Sequence, residues 1–162
     1  MDRREFLRGS LGATLSVASI GFTGCFGHSD PGQIEAYLDD TEGWDDDVTP
    51  TDNIVDKTDF DHVPITVGSG PNYHSFSPLA IEISPGTTVT WVWTGRGGRH
   101  NIKNTRTSTL TLRSGSPKQN GLFSHTFSKS GLLLYFCDRH YSENMRGAII
   151  VTSPGSETEA TE

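Results

Sequence analysis

Residues 88–94 read Thr-Val-Thr-Trp-Val-Trp-Thr, a segment in which large apolar side chains alternate with small polar ones. A period of two residues is typical of a half-buried β-strand, because successive side chains point to opposite faces of a sheet. Turn residues bound the segment on both sides, with Ser84-Pro85-Gly86 before it and Gly95-Arg96-Gly97-Gly98 after it. The segment therefore predicts a strand with one face in a core.

Similar segments lie before and after this strand. Between residues 63 and 152, short apolar runs are separated by turns that contain Gly, Pro or Ser, and no long window has helical periodicity. This pattern predicts an all-β domain, an antiparallel β-sandwich or barrel of about ninety residues, which is enough for one small core. The other predicted strands are Val63–Val67, Leu79–Ile83, Thr109–Leu112, Leu122–Phe127, Leu132–Phe136 and Ala148–Val151.

Charge divides the 162 residues into blocks. Residues 26–62 carry twelve acidic side chains and one basic one, whereas residues 63–152 carry nine basic and three acidic ones. The net charges are −11 and +6, and residues 153–162 add −3. Such segregation is typical of solvated segments attached to a folded unit, so we predict an acidic tether over 26–62 and an acidic disordered tail over 153–162. Three apolar side chains of the tether are candidates for packing on the domain edge: Tyr37, Leu38 and Trp44.

Residues 1–25 resemble an export signal. Arg3 and Arg4 stand in Arg-Arg-Glu-Phe-Leu, which is similar to the twin-arginine type. The weakly apolar run from Gly9 to Phe22 is too short and too polar for a membrane span, which needs about 20 mainly apolar residues. Small residues then precede Cys25, as in a bacterial-type lipobox. We therefore predict an exported protein that lipidated Cys25 anchors to the outer face of the cytoplasmic membrane; a plain cleaved signal or an uncleaved helical anchor are the alternatives.

Residues 137–145 contain the candidate functional site. They read Cys-Asp-Arg-His-Tyr-Ser-Glu-Asn-Met and offer sulfur or imidazole donors at Cys137, His140 and Met145, while His100 offers a second imidazole upstream. One thiolate, two imidazoles and one thioether suit copper in both oxidation states, and a His2Cys site with a weak axial Met is the blue-copper arrangement. Zinc also binds nitrogen and sulfur donors but rarely uses Met, so Met145 favours copper.

The predicted strands bring the four donors to one end of the domain. Cys137 follows strand 132–136, and the loop from Cys137 to Met145 returns into strand 148–151, so one loop delivers three donors. His100 follows a glycine-rich loop, which lies at the same end if the strands pair as expected. Three aromatic side chains are expected to keep water away from the sulfur: Trp93, Tyr135 and Phe136.

Each donor also has a simpler explanation when it is considered alone, since a buried Cys is usually a small hydrophobe and a Met near a strand is usually core. The joint spacing Cys-x2-His-x4-Met is what makes the metal hypothesis specific. A disulfide between Cys25 and Cys137 is disfavoured, because each cysteine has a separate explanation. His62 and His74 lie near turns and His125 lies in a predicted strand, and we predict that none of the three is a ligand.

A longer set of residues around the donors matches a known pattern. It comprises Gly86-Thr87-Thr88-Val89, Trp91-x-Trp93-Thr94-Gly95, Gly97-Gly98, His100-Asn101, Phe127, Gly131, Tyr135-x-Cys137, His140, Met145 and Gly147, with weaker echoes in Ala36-Tyr37-Leu38 and Val55-Asp56. From about Val63 to Val151 the chain thereby resembles the halocyanins, small blue copper proteins of the plastocyanin-like cupredoxin class.

The resemblance implies a Greek-key β-sandwich with the cupredoxin fold, one copper ion that cycles between Cu(I) and Cu(II), and one-electron transfer outside the cytoplasmic membrane. It implies that Asn101 braces the cysteine loop, and that the electron passes through the exposed edge of one ligand histidine, His140. The implied ligands are His100, Cys137, His140 and Met145.

Two positions depart from the family pattern. The family usually has Pro immediately before the second ligand His and Gly immediately before the ligand Met, where this chain has Arg139 and Asn144. Asn144 tolerates a left-handed backbone better than most residues, so we predict that it replaces Gly. Arg139 restores a backbone N–H that Pro lacks and places a cation beside the site. Our hypothesis is that Arg139 raises the reduction potential and favours an acidic docking partner.

The leading interpretation is an electron carrier that serves redox partner proteins of a respiratory or other electron-transfer chain. We expect a monomer without enzymatic activity, because no acid–base pair or open substrate position is evident. A copper-binding module for storage or delivery is the alternative, disfavoured because the chain has only two Met; a structural metal is a third option. The basic domain surface is either a solvated face or a docking patch. Nucleic acid is not an expected partner, because no basic motif interleaved with aromatic residues is present.

Overall fold

The computed structural model describes residues 31–153, in which nine strands form two sheets beside two short helices. The predicted signal, including Cys25, lies outside the described residues, as does the tail beyond residue 153. Neither helix is long and apolar enough to cross a membrane. The elements are α1 (Pro31–Leu38), α2 (Pro50–Asn53), β1 (Val55–Asp56), β2 (His62–Ser69), β3 (Ser75–Ser77), β4 (Ala80–Ile83), β5 (Thr88–Thr94), β6 (Lys103–Asn104), β7 (Asn120–Thr126), β8 (Gly131–Phe136) and β9 (Arg146–Val151).

The two sheets have the strand orders β1-β4-β9-β8-β6 and β3-β2-β5-β7. The all-β sandwich expected from the sequence is confirmed, but the sheets are mixed rather than wholly antiparallel. The pairs β1–β4, β4–β9 and β2–β5 are parallel, and the remaining pairs are antiparallel. The chain crosses between the sheets after β1, β3 and β4, so the two strands of each parallel pair are not consecutive in sequence. None of these pairs is therefore joined by a hairpin, the connection that makes neighbouring strands antiparallel.

The core lies between the sheets and follows the alternation of β5. Val89, Trp91 and Trp93 are buried, whereas Val92 is 43% exposed on the other face. Trp91 packs edge-on against Tyr135 of β8, with ring centroids 5.8 Å apart and an interplanar angle of 90°. The alternation at residues 88–94 therefore correctly predicts that this segment is a strand with one face in the core.

The five-stranded sheet is also covered on its outer face. Leu132 and Leu134 of β8 point away from the main core and form a second apolar cluster with α1. Ile34 and Leu38 of α1 are both 0% exposed in this cluster. Burial on both faces explains why β8 is a continuous apolar run rather than an alternating one.

The structure differs from the expected acidic tether over residues 31–62. Residues 34, 37 and 38 have helical spacing, so one face of α1 is apolar while its acidic neighbours Glu35 and Asp39 stay exposed. The apolar face gains more from burial on β8 and β9 than the segment gains from extending in water. Tyr37, Leu38 and Trp44, which the sequence marks as candidates, all join this second cluster.

Residues 109–112 alternate as predicted but do not form a strand. The carbonyl of Leu132 accepts hydrogen bonds from both Thr109 and Leu110, and the Leu112 N–H donates to the side chain of Asn104. Because these bonds converge on one carbonyl and one side chain, no regular ladder develops. Leu112 is nevertheless buried, and Leu110 packs against the same core.

Candidate metal centre

The candidate ligand loop joins β8 to β9. Cys137 directly follows β8 and Met145 directly precedes β9, and the Cys137 N–H donates to the Met145 carbonyl at 3.1 Å. Within the loop, the His140 carbonyl accepts from the N–H groups of Glu143 at 3.2 Å and Met145 at 3.1 Å. These bonds close the loop on itself, so its shape is set by its own backbone.

Three side-chain donors converge at this end of the sandwich. The Cys137 Sγ lies 3.6 Å from His140 Nδ1 and 4.0 Å from His100 Nδ1, and the two Nδ1 atoms are 3.0 Å apart. Cys137 is 0% exposed and His100 is 1% exposed, whereas His140 is half-buried. Met145 is fully buried in the same core cluster as Cys137. The structure thus brings together the three predicted nitrogen and thiolate donors, and places the predicted thioether residue in the adjoining core.

The orientation of His100 is fixed by its backbone surroundings. Its Nε2 lies 2.8 Å from the Arg96 carbonyl, which can only accept, so Nε2 carries the proton and the Nδ1 lone pair points at Cys137 and His140. Gly68 makes room for this arrangement: its φ is 87°, and a Cβ there would lie 2.8 Å from the Arg96 oxygen and 3.4 Å from the His100 Nε2. The sequence contains no signal for the Arg96 contact, since it is made by a backbone atom.

Asn101 joins the segment of His100, between β5 and β6, to the start of the ligand loop. Its Oδ1 accepts from the Asp138 N–H at 2.9 Å, and its Nδ2 donates to the Asp138 carboxylate at 2.9 Å and to the Gly115 carbonyl at 3.3 Å. Lys103 also pairs with Asp138 at 3.3 Å. Because Asp138 follows Cys137, these bonds hold the peptide next to the thiol, in the position expected of a brace.

His74 is a neighbour of the site that the sequence did not reveal. Its ring stacks on His140 with centroids 4.0 Å apart and planes inclined by 21°, and its Nε2 lies 3.3 Å from the Gly97 carbonyl. The three-donor cluster consists of His100, Cys137 and His140, and His74 covers one face of the half-buried histidine. No local motif announces this contact, because it depends on how the loop before β3 folds over the site.

Burial favours neutral imidazoles at the site. Desolvation lowers the pKa of His100, and desolvation followed by the neighbouring His74 and His100 lowers the pKa of His140. A neutral imidazole is the form that binds a metal, so these shifts prepare both rings as ligands.

Asn144 has a φ of 56°, which confirms that it takes the left-handed conformation predicted for this departure from the family pattern.

The donor set fits copper. Two imidazole nitrogens and one thiol sulfur lie within 4.8 Å of one another. Because the proton of His100 is on Nε2, which donates to the Arg96 carbonyl, the lone pair of its Nδ1 can bind a metal ion. Such a His2Cys cluster at the end of a β-sandwich, next to a buried Met, defines the class of small blue copper electron-transfer proteins.

Comparison with known proteins agrees with this class. Residues 63–152 match the family of copper binding proteins of the plastocyanin/azurin type. The chain is 34% identical to the halocyanin of Natronomonas pharaonis over 168 aligned residues, which cover 93% of this chain and 98% of that protein. The chain therefore belongs to the plastocyanin/azurin family, as a halocyanin-like cupredoxin, and its cofactor is one copper ion.

Two solved structures are similar to this chain. A Cu-containing nitrite reductase from Thermus scotoductus SA-01 is 22% identical with a TM-score of 0.53, over 65% of this chain and 29% of that chain. A purple cupredoxin from Nitrosopumilus maritimus is 28% identical with a TM-score of 0.46, over 56% of this chain and 99% of that chain. The likeness to the reductase concerns the fold alone.

Proposed function

We propose that His100, Cys137 and His140 bind the copper ion, that Met145 is its weak axial donor, and that the protein carries single electrons between membrane-associated redox partners. The observation that carries this proposal is the convergence of three donors in a buried site from which only the half-buried His140 reaches the surface. When bound, copper supplies a one-electron redox couple.

The surrounding residues keep the donors in place for either oxidation state. The Arg96 carbonyl orients His100, the Asn101 side chain holds the peptide after Cys137, and His74 covers His140. Donors that are held by packing and hydrogen bonds move little when the charge of a bound ion changes. A redox partner that docks at the surface near His140 can therefore exchange an electron without any movement of the residues that enclose the site.

Three arginines lie around this approach, with Glu143 as an acidic neighbour of His140 on the ligand loop. Arg96, Arg99 and Arg139 are exposed on the loops that carry the two histidines, and the aromatic rings of Tyr73 and Tyr141 are exposed beside them. Opposite charge steers diffusional encounter, so an acidic redox partner fits this end of the molecule.

We place the protein outside the cytoplasmic membrane as a monomer that Cys25 anchors, which agrees with the export-like residues 1–25.

The visible spectrum and voltammetry of the copper-loaded protein test the proposed function. We expect an intense thiolate-to-copper absorption in the oxidised protein that disappears on reduction, and a reversible one-electron wave, because a thiolate overlaps strongly with the metal. A colourless protein that only exchanges copper with a chelator would contradict electron transfer and favour storage or delivery.

Removing the charge of Arg139 tests the docking patch. We expect Arg139→Gln to lower the reduction potential, and to slow electron exchange with an acidic redox protein a few-fold at low salt, with the difference vanishing at high salt. Arg106→Gln is the matched control, because Arg106 is also exposed but lies on the loop after β6, where Thr105 bonds to Leu134. Equal potentials and equal salt dependence in the Arg139 variant and the parent protein would rule out this role.

A further inference from the structure

Residues 31–44, which we call the strap, lie on the outer face of the five-stranded sheet and contact the ligand loop at Asp40. The strap precedes residues 63–152, the part of the chain that matches the copper-protein family. Its helix α1 is seated by Ile34 and Leu38, which pack on Leu132, Leu134 and Ala148. The strap therefore adds to the copper domain a layer of structure that reaches the site.

Tyr37 contacts both strands that flank the ligand loop. Its hydroxyl donates to the Tyr135 carbonyl at 2.8 Å, two residues before Cys137. Its own carbonyl accepts from Arg146 Nη1 at 3.1 Å, one residue after Met145. The phenol of Tyr37 is protonated at neutral pH and able to donate, and burial raises its pKa further.

A second contact holds the loop itself. The Asn144 side chain donates to the Asp40 carbonyl at 3.3 Å, across 104 residues of sequence. The Arg146 guanidinium lies 5.5 Å from the ring centroids of both Tyr37 and Tyr141, so it ties a strap ring to a loop ring. Asn144 and Arg146 are the residues on either side of Met145, and both are bonded to the strap.

We propose that the strap is a positioning element for the copper ligands. By bonding to Tyr135, Asn144 and Arg146, it fixes the chain just before Cys137 and on both sides of Met145. The contact to Asn144 lies in the loop itself, and the contacts to Tyr135 and Arg146 lie at the ends of β8 and β9 that adjoin the loop. Because the rest of β8 and β9 is already paired, these contacts restrict the loop more than they stabilise the sheet. The ligand roles rest on the proposed function, but the restriction of the loop is a property of the chain without metal.

Hydrogen exchange of the metal-free, full-length protein tests this inference. The probes are the loop amides of Glu143, Asn144 and Met145, which donate to the carbonyls of His140 and Tyr141. Tyr37→Phe keeps the ring and the packing of α1 but removes the hydroxyl bond to Tyr135. We expect these loop amides to exchange about fivefold faster, the factor that one ordinary hydrogen bond is worth, while the amide of Ile149 in β9 is unchanged.

Ile34→Val is the matched control, since it weakens the packing of α1 without removing a contact to the loop. If the strap acts only by general stabilisation, both variants will change loop and sheet amides alike, and that result overturns the proposal. Copper-loaded protein gives a second measurement: Tyr37→Phe should release copper to a chelator several-fold faster and shift the thiolate absorption, whereas Ile34→Val should do neither.

The two proposals fail in different ways. Wild-type protein that shows no thiolate-to-copper absorption would contradict the ligand assignment, whatever the exchange rates. Loop amides in Tyr37→Phe that exchange at the wild-type rate would contradict the positioning role of the strap, even in a protein with a normal spectrum.

Discussion

Replacing Cys137 by Ser is expected to abolish the intense visible absorption of the copper-loaded protein and its reversible redox wave. The absorption requires a thiolate on the metal, and a serine hydroxyl does not ionise at neutral pH in its place. Copper affinity should fall by more than about 100-fold, because loss of residues that merely support a ligand already costs 10–100-fold. A copper titration with a competing chelator measures this change.

The metal-free Cys137→Ser variant should remain folded. Serine is close to cysteine in size, and the new hydroxyl lies beside the His100 and His140 nitrogens, which can bond to it. We expect unfolding free energy to fall by only about 1 kcal/mol in denaturant titrations. The same substitution at Cys25, the other cysteine of the chain, is the control and should leave the spectrum intact. If the copper-loaded Cys137→Ser protein keeps the visible band, Cys137 is not the thiolate ligand of the copper ion.

The donors could be predicted because their chemistry is written in residue types and spacing. Cys137, His140 and Met145 lie on one loop between two apolar runs, so a strand on each side is enough to bring them together. His100 required a further assumption about how strands pair, and the structure places it 4.0 Å from the Cys137 sulfur. The motif therefore carried most of the information about the site, and the alternation at residues 88–94 carried most of it about the sandwich.

The contacts around the donors could not be predicted, because they join distant parts of the chain through common residue types. His74 reads as a turn histidine and becomes a stacking partner of His140 only after the loop before β3 folds. Tyr37 stands in a segment whose acidic composition is typical of a solvated tether, yet its hydroxyl bonds to Tyr135. Composition averages over a segment, whereas packing depends on the single helical face that Ile34 and Leu38 share with Tyr37.

Placing a methyl group at residue 147 is expected to destabilise the whole domain. Gly147 in β9 lies directly opposite Tyr135 in β8, and the Tyr135 ring lies over it. A Cβ at 147 would overlap the end of that ring and approach its Cε2 to 2.8 Å. The ring cannot move aside, because it is fully buried with its centroid 4.8 Å from Phe76 and 5.8 Å from Trp91. The absence of a side chain is what a close approach of this kind requires.

We therefore expect Gly147→Ala to lower the free energy of unfolding by about 3 kcal/mol, at the upper end of the cost of overpacking. The midpoint of denaturant unfolding of the metal-free protein measures this loss. Tyr135→Leu provides the control background, because a shorter side chain leaves room for the new methyl. In that background Gly147→Ala should cost at least about 1 kcal/mol less, since the two residues share one space. An equal loss in both backgrounds would show that the ring of Tyr135 is not what requires glycine at this position.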